Sequence, residues 1–316
     1  MGARENRGER TIAEAGAPRK SLPRWMFSGA GRRRPKLRPL PPVYLSGFPQ
    51  EEMNLMTAAI SLHGVVKRFG KFTAVDKLDL EVPHGVTFGL IGPNGAGKTT
   101  TIRMIMNITK PDEGEIRVLG EVMNEKLQER IGYLPEERGL YRKMKVVDQL
   151  LFFAAIKGVD KATAMKRLSP WIDSMDLRPW LQKKTEELSK GMQQKVQFLG
   201  TIVHDPEILI LDEPFSGLDP INVVLVKDFL TAFKKQGKTV VFSTHVLEQA
   251  ERMCESIALL FRGRKILDGT LKDIKHSYRD RVPLPPPVEP EPELEKIFIK
   301  AVQESGLEAP TAEELK

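Results

Sequence analysis

Residues 92–99 read Gly92, Pro93, Asn94, Gly95, Ala96, Gly97, Lys98, Thr99, and Thr100 follows. Glycines at these spacings let the backbone curl closely around a phosphate with its N–H groups pointing inward. Lys98 is long enough to reach β- and γ-phosphates, and Thr99 offers a hydroxyl to Mg²⁺. The chemistry of such a loop is phosphate binding. It requires a strand before it and a helix after it, because the helix N-terminus adds partial positive charge. Residues 86–91 are an apolar run that reads as the strand, and residues 100–107 read as the helix. A Gly-rich turn that merely contains Lys-Thr has no need of either flank.

A second cluster follows the run Ile208, Leu209, Ile210, Leu211, which reads as a buried strand ending in Asp212, Glu213 and Pro214. In open parallel sheets, ligands bind at the carboxyl ends of strands. Asp212 suits Mg²⁺, directly or through water. Glu213 is placed to act as general base on an attacking water, or to orient it. Two solvated acids at a strand end look the same in isolation; the phosphate loop beside them favours catalysis.

These residues need a scaffold. Strand patterns fall at 60–66, 74–82, 115–119, 131–134, 208–211, 239–243, 257–261 and 265–267. Within the second, Leu78, Leu80 and Val82 alternate with Asp79 and Glu81. Helical patterns fall at 146–156, 161–175, 190–203 and 222–235. Strands alternating with helices around a phosphate loop imply an α/β fold with a mostly parallel sheet covered on both faces. Residues 146–203 are helix-only and read as an inserted helical lobe, with the connection into it starting at about 140. The expected organisation is a basic, disordered tail over 1–55 and an ATPase-type domain over 56–278. A Pro-rich linker over 279–293 and a short helical segment over 294–316 complete it. The amphipathic part of that last segment is 294–305.

Composition narrows the function classes. The chain has 316 residues, 41% hydrophobic, enough for one large α/β domain with additions. Its single cysteine, Cys254, excludes an internal disulfide and fits a reducing compartment. The net charge of +7 is concentrated in residues 1–50, which hold eleven Lys/Arg and three acids. The body is therefore close to neutral, so the charge gives no ground for a nucleic-acid partner. The longest apolar run, 150–156, is far short of the ~18–20 residues that span a bilayer. For the tail three readings stand: an early start codon with Met53 or Met56 as the true first residue, a basic arm resting on anionic lipid, or an Arg-rich transit segment.

The order of these motifs resembles that of the nucleotide-binding subunit of ATP-binding-cassette (ABC) transporters, over about residues 58–277. Leu188, Ser189, Lys190, Gly191, Met192, Gln193 and Gln194 stand where that family carries its signature, LSGGQ in one-letter code. Ser216, Gly217, Leu218 and Asp219 match the D-loop, and His245 matches the switch histidine. Phe69 takes the place of the aromatic that stacks on adenine. The resemblance implies a P-loop NTPase core, with a small antiparallel β subdomain and the helical lobe. It implies ATP and Mg²⁺ as ligands, with Glu213, His245 and Glu136 in the catalytic set and Thr99, Asp212 and Glu136 around the metal. Ser189 and Gly191 would bind ATP held by a second ATPase subunit, in a head-to-tail pair expected to be a homodimer. Polytopic membrane permease subunits would complete the complex, at the cytoplasmic face of the inner membrane. Two departures stand out. Lys190 and Met192 replace the signature's first Gly and its Gln, and Glu136 replaces the usual Gln after residues 133–135. The runs 133–141 and 188–194 are similar to those of ABC-2-type exporters, the group of sodium-extrusion and drug-efflux ATPases. Two other readings compete: a soluble cassette ATPase acting on ribosomes or DNA, and a nucleotide-binding regulatory module without turnover. One cassette with a short lobe speaks against the first, and an intact Glu213 and His245 against the second.

Overall fold

The computed structural model describes residues 58–305, except 138, 217, 219, 280 and 283–293. The expected tail, most of the expected linker, residues 306–316, and Gly217 and Asp219 of the D-loop lie outside the described residues.

The chain runs β1 (Ala58–Phe69), β2 (Phe72–Pro83), β3 (Thr87–Ile91), α1 (Lys98–Ile105), β4 (Glu113–Val118), β5 (Glu121–Val122), α2 (Glu125–Gln128) and β6 (Ile131–Leu134). It continues through α3 (Val146–Ile156), α4 (Lys161–Ser174), two 3₁₀ turns and α5 (Lys190–Ile202). Next come β7 (Ile208–Asp212), α6 (Pro220–Lys235), β8 (Thr239–Thr244), α7 (Leu247–Met253), β9 (Ser256–Phe261), β10 (Arg264–Thr270), α8 (Leu271–Tyr278) and α9 (Leu294–Glu304).

Two sheets result. The six-stranded sheet has the order β10-β9-β3-β8-β7-β6, parallel except for the edge strand β10. Its strands β3, β7, β8 and β9 are buried along their whole length, as their Val/Ile/Leu-rich sequences require when helices cover both faces. The four-stranded sheet, β2-β1-β4-β5, is antiparallel. There β2 buries Leu78, Leu80 and Val82 and turns Asp79 and Glu81 away from the core, the period-2 pattern of a half-covered sheet. The two sheets are joined beside the phosphate loop: Asp76 N donates to Gly263 O at 2.9 Å, and Arg264 pairs with Asp76 at 2.8 Å.

Local signals start the helices. Ser189, Asp160 and Thr270 cap α5, α4 and α8 by accepting backbone N–H bonds at 3.3, 3.0 and 3.1 Å. The lobe of α3, α4 and α5 is fastened to the core through Phe229 of α6. Trp171 and Phe198 both meet that ring edge-on at 4.4 Å, contacts worth ~0.5–1.5 kcal/mol each beyond their buried area.

The strands and helices expected from the sequence are present, with ends shifted by a few residues. The helix after the phosphate loop opens at Lys98 rather than Thr100, and the strand expected at 115–119 spans Glu113–Val118. Four short elements were not expected: β5, α2, α7 and α8. Two to eight residues hold too few repeats for a period to emerge.

Candidate nucleotide-binding and hydrolysis site

Sheet register sets the site. Ile91 lies beside Thr244, and Asp212 beside Ser243, so β3, β7 and β8 end on one edge. The residues that follow them are Gly92, Glu213 and His245, which are thereby brought together from three distant parts of the chain.

The loop from Gly92 to Thr99 has no room for side chains at two glycines. A Cβ on Gly92 would lie 2.2 Å from the Leu260 carbonyl oxygen, and one on Gly97 2.7 Å from that of Ala74. Gly97 also caps α1 with φ at 102°, a conformation that favours glycine. Lys98 is 6% exposed. Its ammonium donates to the Gly92 and Pro93 carbonyls at 2.6 and 3.2 Å and lies 3.6 Å from Glu213 Oε1. Burial pulls its pKa below the ordinary lysine value, and the Glu213 carboxylate opposes that shift.

Glu213 leaves β7 with φ at 49°, a left-handed conformation that costs a non-glycine residue ~1–2 kcal/mol. The turn is held by its N–H, which donates to Ser243 Oγ at 3.1 Å. His245 Nδ1 meets Glu213 Oε1 at 2.9 Å. Asp212 is 1% exposed; Ser243 Oγ donates to its Oδ1, while its Oδ2 is buried with no hydrogen-bond partner. A buried carboxylate oxygen without a partner is costly unless a cation or bound water meets it.

Lys98 and Glu213 border a cavity of about 390 Å³, lined also by Asn94, Gly95, Ala96, Gly97, Thr99, Thr100 and Glu136, with Phe72 and Ala74 from β2; Asp212 and His245 are not among the lining residues and reach it through Ser243 and Glu213. Gly92 and Pro93 are not among its lining residues; their carbonyls hold the Lys98 ammonium. Phe69 is not among the lining residues. It is 54% exposed, with the Lys67 ammonium 5.6 Å from its ring. Phe72, its partner across the hairpin, takes the lining position instead. Ser189 and Gly191 do not line this cavity either; Ser189 Oγ is occupied by the first turn of α5.

Several contacts could not be anticipated from spacing. Gln194 Nε2 donates to Pro214 O at 2.8 Å, which ties α5 to the turn after Glu213. Gln197 Nε2 donates to Glu137 O at 3.2 Å, which ties the same helix to the segment carrying Glu136. For Ser243 there was a signal: a hydroxyl at the end of the apolar strand 239–243.

The sequence and the fold have counterparts. The ABC transporter family matches residues 75–216. YhaQ of Bacillus subtilis strain 168, described as an ABC transporter ATP-binding protein, is 48% identical over 219 residues, 69% of this chain and 74% of its own length. The chain belongs to the ABC transporter ATP-binding proteins. An ABC transporter ATP-binding protein of Methanocaldococcus jannaschii is 43% identical, over 69% of this chain and 80% of its own. The Nod factor export ATP-binding protein I of Cupriavidus metallidurans is 36% identical, over 68% and 72%. A solved structure of an ATP-binding subunit of an ABC transporter superposes with a TM-score of 0.70 at 28% identity, covering 77% of this chain and 99% of that one. The fold is thus the P-loop NTPase fold of an ABC ATPase, whose family binds and hydrolyses ATP. Among the described residues no helix is long and apolar enough to cross a membrane.

Proposed function

We propose that this ABC ATPase hydrolyses ATP to drive an exporter of the ABC-2 type, working as a head-to-tail pair on separate membrane subunits at the cytoplasmic face. The observation that carries the hydrolytic reading is the contact of His245 with Glu213, 3.6 Å from the ammonium of the phosphate-loop lysine. Both contacts fall on Oε1 of Glu213, which leaves Oε2 to accept a proton from the attacking water. His245 keeps the carboxylate aimed, Lys98 faces the β- and γ-phosphates, and the N–H groups of the loop cradle them. Asp212 and Thr99 suit Mg²⁺, and Glu136 lines the same cavity as Thr99. Among the described residues no group of three or more acidic, His or Cys side chains could hold a metal. That sparse donor set fits an ion that keeps several waters and takes its other ligands from phosphates. When bound, Mg²⁺ would neutralise the charge developing on the transferred phosphoryl group.

Support for a paired subunit comes from Ser189 and Gly191. They match the family's phosphate-binding signature, yet they do not line the chain's own cavity. Support for an export role comes from the similarity to proteins named for Nod factor export.

The membrane subunit is expected to dock in a second cavity, of about 360 Å³, where α5 of the helical lobe meets the segment carrying Glu136. It is lined by Met106, Ile108, Phe153 and Ile156 among others; Ile108 and Ile156 are 58% and 63% exposed. Apolar side chains this exposed beside an open groove mark an interaction site. The fitting occupant is a cytoplasmic helix of the permease with an apolar face. Lys157 and His204 supply its polar floor, and burial holds the His204 imidazole neutral, with its pKa near 4. Cysteines at positions 108 and 156 are expected to crosslink to the permease in complexes purified from detergent-solubilised membranes. Ile156→Glu is expected to abolish co-purification while isolated ATP binding persists. An intact complex in which neither position ever crosslinks would refute this placement.

A further inference from the structure

The last described helix lies away from the nucleotide cavity, yet it backs both elements that carry the cavity's chemistry. One face of α9 is buried: Leu294, Ile297, Ala301 and Val302 are each no more than 3% exposed. It packs on α7, α8 and β10. Two sets of contacts diverge from it. Val302 clusters with Leu259 and Phe261 of β9, and Leu247 packs against that cluster. Leu247 is the first residue of α7, two positions after His245. Phe261 is the last residue of β9, two positions before Gly263, whose N–H donates to Ala96 O of the phosphate loop at 3.1 Å. The neighbouring Leu260 carbonyl abuts Gly92. Leu294 and Ile297 join a second cluster with Ala250 of α7 and Ile274 of α8. The far end of α9 is tied down at Glu304, which accepts from Tyr278 Oη and Arg281 Nη1, both at 3.4 Å.

The helix that α9 covers needs such support. α7 has seven residues, and its N-cap, Val246, carries no capping group. A helix this short is not stable on its own, so packing sets where it begins. Where it begins sets the position of His245.

We propose that α9 is a brace that fixes His245 relative to the phosphate loop, so that the packing of Val302 controls the rate of ATP turnover from outside the nucleotide site. Ile297 and Val302 are positioning residues in this scheme, and it rests on the catalytic reading of His245 given above. Small displacements of catalytic groups cost rate far more than they cost binding, because the ground state tolerates them and the transition state does not.

The test uses the full-length chain and measures ATP binding and steady-state hydrolysis. Val302→Asp is expected to lower kcat roughly 10-fold or more, and Val302→Ala severalfold, with KM for ATP within about twofold. In a His245→Ala background, Val302→Ala is expected to cost no further rate, because the residue it positions is gone. Leu168→Ala, an equally buried truncation in the helical lobe, is expected to lower stability and leave kcat in place. Should Val302→Asp fail to fold, Val302→Ala and its double with His245→Ala carry the test alone. Unchanged kcat in the Val302 variants, with His245→Ala impaired, would overturn the brace alone. So would losses that multiply in the double variant. A His245→Ala protein with full turnover would overturn the catalytic reading itself.

Discussion

Glu213→Gln is expected to bind ATP as well as the parent chain and to lose hydrolysis by about 100-fold or more, the scale of a lost general base. The amide keeps the shape of the carboxyl group, and its oxygen can still accept from His245 Nδ1, which now sits 2.9 Å from Oε1. Binding is spared because the change removes a negative charge from beside the phosphate cavity. Lys98 still has the Gly92 and Pro93 carbonyls. With hydrolysis blocked, the protein should accumulate as an ATP-bound dimer, visible as a shift in size-exclusion chromatography on adding ATP. Steady-state phosphate release within about twofold of the parent would remove Glu213 from the base role. Lys98→Ala should do the reverse. It deletes the cation that faces the phosphates, a charge-assisted interaction worth ~1.5–3 kcal/mol, so ATP affinity itself should fall by at least ~10-fold.

Ser189→Arg is expected to abolish ATP-driven dimerisation while monomeric ATP binding stays close to normal. Ser189 is exposed and does not line its own cavity, so a bulky cation there should leave the subunit's own nucleotide untouched. In a head-to-tail pair it would fill the space of the partner's phosphate. The substitution also removes the acceptor for Met192 N, an N-cap worth ~1 kcal/mol. Ser189→Asn keeps an acceptor at the cap and separates that loss from the block. Affinity and dimerisation that fall together in Ser189→Arg would defeat the head-to-tail arrangement.

The placement of the site's residues was legible wherever they stand consecutively in the sequence. The phosphate loop and the Asp212–Glu213 pair each follow a run that reads as a buried strand, and register then puts both at one edge of the sheet. His245 was legible through its place in the series, and the lobe through an uninterrupted stretch of helical period. What escaped depends on pairs that no period relates. Gln194 and Gln197 sit on a regular helix, and nothing in their spacing tells that one reaches Pro214 and the other Glu137. The two aromatics of the first hairpin, Phe69 and Phe72, flank the turn symmetrically. They pair directly across it, and nothing in their alternation tells that Phe72 alone lines the cavity. The expected tail and most of the expected linker lie outside the described residues.

Ser243 gives the site a handedness. Its hydroxyl has one proton, donated to Asp212 Oδ1, and its lone pair takes the Glu213 N–H. The two oxygens of Asp212 are thereby made unequal: one is spoken for, and the other is left bare in a buried place. A cation arriving at the site meets a carboxylate that already has a front and a back. The same hydroxyl fixes the turn that carries Glu213, so in the mechanism proposed above one small side chain would register the metal's position against that of the base. An alanine at this position would delete neither carboxylate and still remove the contact that holds Asp212 and Glu213 in step.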